Sequence, residues 1–158
     1  MRTNKEVVIL VGIPGSGKST LASTYKSRGY LVLNADSIRG ELFGDESHQA
    51  NNVEVFEVFH DRLEKAMEAG TPIVADNTNV TRNSRRKIIQ AARIYDYSVT
   101  LIYVRCPVEV RISRQSSRAR QVPDYVIRKM YETLLAQFPE GIEADKFEVY
   151  ESDYEKQR

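Results

Sequence analysis

Residues 12 to 19 read Gly12-Ile13-Pro14-Gly15-Ser16-Gly17-Lys18-Ser19, the pattern G-x-x-x-x-G-K-[ST]. This spacing suits a loop that wraps a di- or triphosphate. Glycines let backbone N–H groups turn inward, a lysine reaches the β- and γ-phosphates, and the hydroxyl after it can ligate Mg²⁺. Gly12, Pro14, Gly15, Ser16, Gly17, Lys18, Ser19 and Thr20 therefore form the candidate set for ATP, or another nucleoside triphosphate, with Mg²⁺. The same loop could be a glycine-rich turn without a ligand, but its flanks argue otherwise. Val7 to Val11 is an unbroken apolar run, as in a parallel strand buried on both faces, and residues 18 to 28 read as a helix stopped by Gly29. The N-terminus of such a helix favours an anion.

Two carboxylates follow other apolar runs. Asp36 stands after Leu31-Val32-Leu33, with Arg39 three residues on. A carboxylate there can take the proton of an attacking hydroxyl, and the arginine can hold a phosphate on the acceptor or neutralise the transferring group. Asp36 could equally be a helix N-cap. Asp76 ends the run Ile73-Val74-Ala75 and leads into Asn77-Thr78-Asn79. It could join the Mg²⁺ shell through water, orient a catalytic group, or simply form a turn.

Arginines gather in two places. Arg82, Arg85, Arg86 and Lys87 crowd the start of one helix, and Arg105, Arg111, Arg114, Arg118 and Arg120 fall close together with Glu109 as the sole acid among them. On a chain of net charge +1, such patches suggest specific anion sites, although Lys87 and Arg93 suit a solvated helix face. Residues 111–122 read as an arginine-rich lid, or a basic loop, between two helices. An arginine closing over a transferring phosphoryl group stabilises its charge. His48 and His60 lack metal-ligand spacing.

These residues need a scaffold that brings loop ends together. Strands are expected at 7–11, 31–33, 73–75, 99–104 and 147–150. Helices are expected at about 18–28, 37–43, 51–69, 81–95, from Pro107, and from Pro123 to about 138. In the helix at 51–69, Val53, Phe56, Phe59, Leu63, Ala66 and Met67 make the expected apolar stripe. This alternation predicts a doubly wound α/β fold: a mainly parallel sheet of about five strands flanked by helices, with ligands beyond the carboxyl ends of the strands. The 158 residues suit one domain, 1–158, with a polar tail from about 151. No run of 18 apolar residues exists, so no membrane partner is expected. The start has no signal-peptide core, and Cys106, the only cysteine, excludes an internal disulfide and fits a reducing cytoplasm as a buried, inert thiol.

The ordered series resembles the P-loop polynucleotide 5′-kinase family, the kinase domains of bacteriophage polynucleotide kinase and of bacterial RNA-repair enzymes. It comprises the loop at 12–20, Asn34-Ala35-Asp36-Ser37-Ile38-Arg39, Asp76-Asn77-Thr78-Asn79 with Arg82, Arg85 and Arg86, and Arg114 and Arg118 before Val122-Pro123 and Met130-Tyr131. The resemblance spans about residues 6–150. It implies Lys18 and Ser19 on ATP phosphates and Mg²⁺, and Asp36 as the base for the 5′-OH end of DNA or RNA. It implies Arg39 on the acceptor's 3′-side phosphate, and Asp76 as an essential carboxylate that holds Arg39. It also implies Arg118 on the ATP phosphates and Arg114 near the adenine. Residues 40–60 match this family poorly. The same outline also fits small P-loop kinases of sugars, amino acids or aminoacyl-tRNA, and an NTP-binding regulatory module.

Overall fold

A computed structural model describes residues 4–44, 52–114 and 122–151. Five strands form one sheet: β1 (Glu6–Val11), β2 (Leu31–Leu33), β3 (Ile73–Asp76), β4 (Ser98–Arg105) and β5 (Lys146–Glu151). Their order is β2-β3-β1-β4-β5, and every neighbouring pair is parallel. The helices are α1 (Lys18–Ser27), α2 (Ala35–Phe43), α3 (Asn52–Glu68), α4 (Arg82–Ile94), α5 (Val108–Arg114) and α6 (Asp124–Ala136). This is the expected doubly wound architecture, with all strands pointing one way. No described helix is long and apolar enough to cross a membrane.

The two faces of β1 explain its unbroken apolar run. Val7, Ile9 and Val11 enter a large core with Phe59 and Leu63 of α3, Ile88 of α4 and Ile127 of α6. Val8 and Leu10 face a smaller core with Ala22 of α1 and Tyr30. Successive side chains point to opposite faces of a strand, so a strand covered on both sides must be apolar throughout. Because the sheet is parallel, β1, β2 and β3 all deliver their C-terminal loops to one edge.

Three expectations need correction. α2 begins at Ala35 rather than 37, because Asn34 caps it: its side-chain oxygen accepts from the Ser37 N–H. Asp36 is therefore not the cap but the second residue of the helix. In α3 the buried stripe is Val55, Phe59, Leu63, Ala66 and Met67. Val53 and Phe56, expected in that stripe, are 75% and 38% exposed. The 55-59-63 row faces the sheet, and the alternative apolar row is turned toward a groove. A 3₁₀ turn, Gly141–Glu143, precedes β5 and was not foreseen.

Candidate active site

The loop after β1 is tight. A Cβ at Gly12 would lie 2.7 Å from Ser16 Oγ and 2.9 Å from the Val104 carbonyl, so only glycine fits there. Gly15 and Gly17 have φ of 73° and 109°, in the left-handed region. Gly17 caps α1 without a side-chain hydrogen bond, so the first-turn N–H groups of that helix have no side-chain acceptor at its cap. Ser16 Oγ is fully buried with no hydrogen-bond partner. An orphaned hydroxyl in a glycine-lined cradle at a helix N-terminus fits a phosphate ligand, since buried polar atoms are otherwise paired. Lys18 Nζ donates to the Gly12 and Ile13 carbonyls at 2.9 and 2.8 Å. Its ammonium is thus held inside the same loop, while Ser19 and Thr20 are exposed on the first turn.

Neighbouring loops brace this cradle. The Gly12 N–H donates to the Thr78 carbonyl at 3.0 Å. Asn79, with φ of 49°, donates its amide to the Leu10 carbonyl at 2.8 Å. Arg111 is buried and its Nε donates to the Pro14 carbonyl. Arg111 was expected in the lid; it is instead an anchor on the loop, through a contact 97 residues apart in sequence. Arg114 ends α5. Arg118 and the rest of the expected lid up to 121, like His48, lie outside the described residues.

The segments that carry Asp36 and Asp76 are joined at this edge. Asn34 links them, capping α2 and donating to the Asp76 carbonyl at 2.8 Å. Asn77 completes the link by accepting from the Ala35 N–H at 2.8 Å. Asp76 is buried, and burial pushes its carboxyl above the usual range. Lys18 and the Asn34 hydrogen bond pull it down, and Asp36 raises it again. Asp36 is 46% exposed and pairs with the buried Arg39 at 2.5 Å. Arg39 also donates to Asn52 Oδ1 at 2.7 Å, and its Nε has no partner. The expectation that Asp76 holds Arg39 is corrected: Asp36 and Asn52 hold it. The carboxylate and guanidinium sit on one turn of α2, an i, i+3 spacing that faces both the same way.

The first arginine cluster is not an anion site as a whole. Arg85 is fully buried and donates to Glu143, the Asn79 carbonyl and the Gln137 carbonyl. Arg82 and Arg93 pair with Glu140 and Asp145. In the second cluster Arg105 pairs with Glu151. The bracing roles of Asn34, Asn79 and Arg111 went unrecognised in the sequence, where Arg111 was assigned to the lid. Of these only Asn34 had a local signal, as a cap-type residue directly before a helix.

A family model described as AAA domain matches residues 7–140. The chain is 27% identical over 138 residues to an L-seryl-tRNA(Sec) kinase of Methanococcus maripaludis, covering 80% of this chain and 51% of that protein. It is 25% identical over 162 residues to a putative bifunctional polynucleotide kinase/RNA ligase of Autographa californica nuclear polyhedrosis virus, covering 94% of this chain and 22% of that protein. The chain therefore spans about half or less of the length of these relatives. A chain in the structure of the Pnkp1/Rnl/Hen1 RNA repair complex superposes with a TM-score of 0.74 at 23% identity, over 86% of this chain and 46% of that one. With the glycine cradle, the all-parallel sheet and a family match across most of its length, this chain belongs to the AAA domain family.

Proposed function

We propose that the protein is a kinase that moves the γ-phosphate of ATP to the 5′-hydroxyl end of a polynucleotide. One observation carries the reading. Asp36 is solvent-accessible, is held by a buried arginine, and stands at the start of the helix whose cap, Asn34, donates to the carbonyl of Asp76 at the end of the strand beside β1. A binding module has no use for such a carboxylate beside its phosphate cradle, whereas phosphoryl transfer to an alcohol needs one. The polynucleotide kinase named among the relatives supports the choice of acceptor.

In this reading the backbone N–H groups of the loop, Ser16 and Lys18 hold the triphosphate. Ser19 would hold Mg²⁺, with Asp76 contributing through a water. Bound there, Mg²⁺ supplies charge neutralisation across the β- and γ-phosphates. Asp36 accepts the proton of the acceptor hydroxyl as its oxygen attacks the γ-phosphorus and the bond to the β–γ bridging oxygen breaks, releasing ADP, and Arg39 holds that carboxylate and offers a cation to the acceptor's phosphate. Arg118 and Arg114 are assigned to the donor side from a lid that leaves out the anchored Arg111, in one domain spanning 1–158.

A second reading is a kinase of the same mechanism with a small or aminoacyl hydroxyl as acceptor, favoured by the seryl-tRNA kinase relative. Incubating the protein with γ-labelled ATP and a panel of acceptors separates the two. Label on 5′-OH oligonucleotides is the expected result. Label only on seryl-tRNA or on sugars would replace the first reading with the second.

A further inference from the structure

The two apolar residues of α3 that miss the core have a common location. Val53 and Phe56 line a groove of about 560 Å³ between α3 and the start of α4, together with His60, Ile88, Asn52 and Lys87. Phe56 is 38% exposed and meets Phe59 edge-on, with ring centroids 6.1 Å apart. His60 stands edge-on to Phe59 at 5.2 Å. Burial and then Lys87 hold the His60 imidazole below its ordinary value against the pull of Glu64.

The groove continues the edge that carries Asp36. Asn52 lines it and accepts from Arg39 at 2.7 Å. Asn77 lines it too, and ties it to the first residue of α2. An acceptor whose hydroxyl meets Asp36, and whose phosphate meets Arg39, therefore has this groove as the next space for its remaining atoms. The lining combines the exposed Phe56 ring and aliphatic groups with side-chain amides, the Thr81 and Ser84 hydroxyls, the Glu57 carboxylate and the Lys87 ammonium. The exposed ring beside amide donors and acceptors suits a flat, partly polar ring system.

We propose that the α3–α4 groove receives a base of the acceptor strand's 5′ end, with Phe56 as its stacking surface. This inference rests on the polynucleotide reading above and specifies its acceptor. Stacking is tolerant of base identity, because every base has a π-face. The four bases should then bind within a few-fold of one another, and an end without bases should bind poorly.

The test measures binding and transfer separately. Tetranucleotides with a 5′-OH and a 3′ fluorophore are titrated by polarisation, with ordinary bases or with abasic residues at the two 5′-terminal positions. Wild type should bind the intact end about tenfold more tightly than the abasic one. Phe56→Ala should erase that difference, and Phe56→Trp should keep it. The abasic comparison needs no variant, so it stands even if Phe56→Ala folds badly. Equal binding of the two ends, no binding at all, or a preference that survives in folded Phe56→Ala would overturn the proposal. Transfer of label from ATP is then scored on the same oligonucleotides. Base-dependent binding without transfer would refute the kinase reading and leave the groove standing. Transfer indifferent to the bases and to Phe56 would do the reverse.

Discussion

Arg39 and Arg85 are both buried, at 5% and 0% exposure, yet their guanidinium groups are used differently. Arg85 spends every direction on the protein: Nε on Glu143 at 2.9 Å, one terminal nitrogen on the Asn79 carbonyl at 2.9 Å, the other on the Gln137 carbonyl at 2.6 Å. It ties α4 to the loop before the last strand. Arg39 faces a half-exposed aspartate and an asparagine, and its Nε has no partner. A buried cation with full coordination belongs to the scaffold. One with an orphaned donor beside an open edge is organised for something that arrives later, because an unpaired buried donor is costly to keep.

The contrast predicts opposite phenotypes. Arg85→Ala leaves Glu143 and two carbonyls without their donor, so about 3 kcal/mol of stability should go, read by urea unfolding. Arg39→Ala should cost about 1 kcal/mol or less, since its aspartate partner is half in water. Instead it should weaken acceptors carrying a 3′-side phosphate about tenfold while sparing 5′-OH nucleosides. If the two variants unfold alike, the distinction between them is lost. Asn34→Ala removes the α2 cap and one brace of Asp76, with about 1 kcal/mol lost and slower turnover.

Asp76→Asn sharpens the picture through pH. In the folded protein the Asp76 carboxyl holds its proton more tightly than in the unfolded chain. The folded state therefore binds more protons between the two pKa values, and this residue's contribution to stability falls as pH rises through that window. Asparagine should remove that slope, measured as unfolding midpoints across the acid range, and should also impair transfer. An unchanged slope would mean that burial does not perturb this carboxyl. Smallest of all, Arg93→Ala breaks only an exposed pair with Asp145 and should shift stability by no more than about 0.5 kcal/mol.

Much of the fold was legible because its signals are local. Val7 to Val11 shows a doubly covered strand, and the glycine spacing before Lys18 shows the cradle. What failed to show depends on distance or helical phase. Arg85 sits among other basic residues, and only its match with Glu143, 58 residues away, makes it structural. Arg111 looked like part of the lid because Pro14 comes 97 residues earlier. In α3 two apolar rows compete, and only the packed sheet selects Val55 over Val53 and Phe56. The spacing of Asp36 and Arg39 placed both at the start of one helix; that Asp36 and Asn52 would hold the guanidinium was not legible.

The central claim is that the Asp36 carboxylate serves the alcohol and not the triphosphate. It is tested most directly by single-turnover transfer from γ-labelled ATP to a 5′-OH oligonucleotide, comparing wild type with Asp36→Asn and measuring ATP affinity in parallel. The account predicts a rate lower by about 10²- to 10⁴-fold with ATP affinity within a few-fold of wild type. A near-normal rate, or a loss explained by weakened ATP binding, would contradict it.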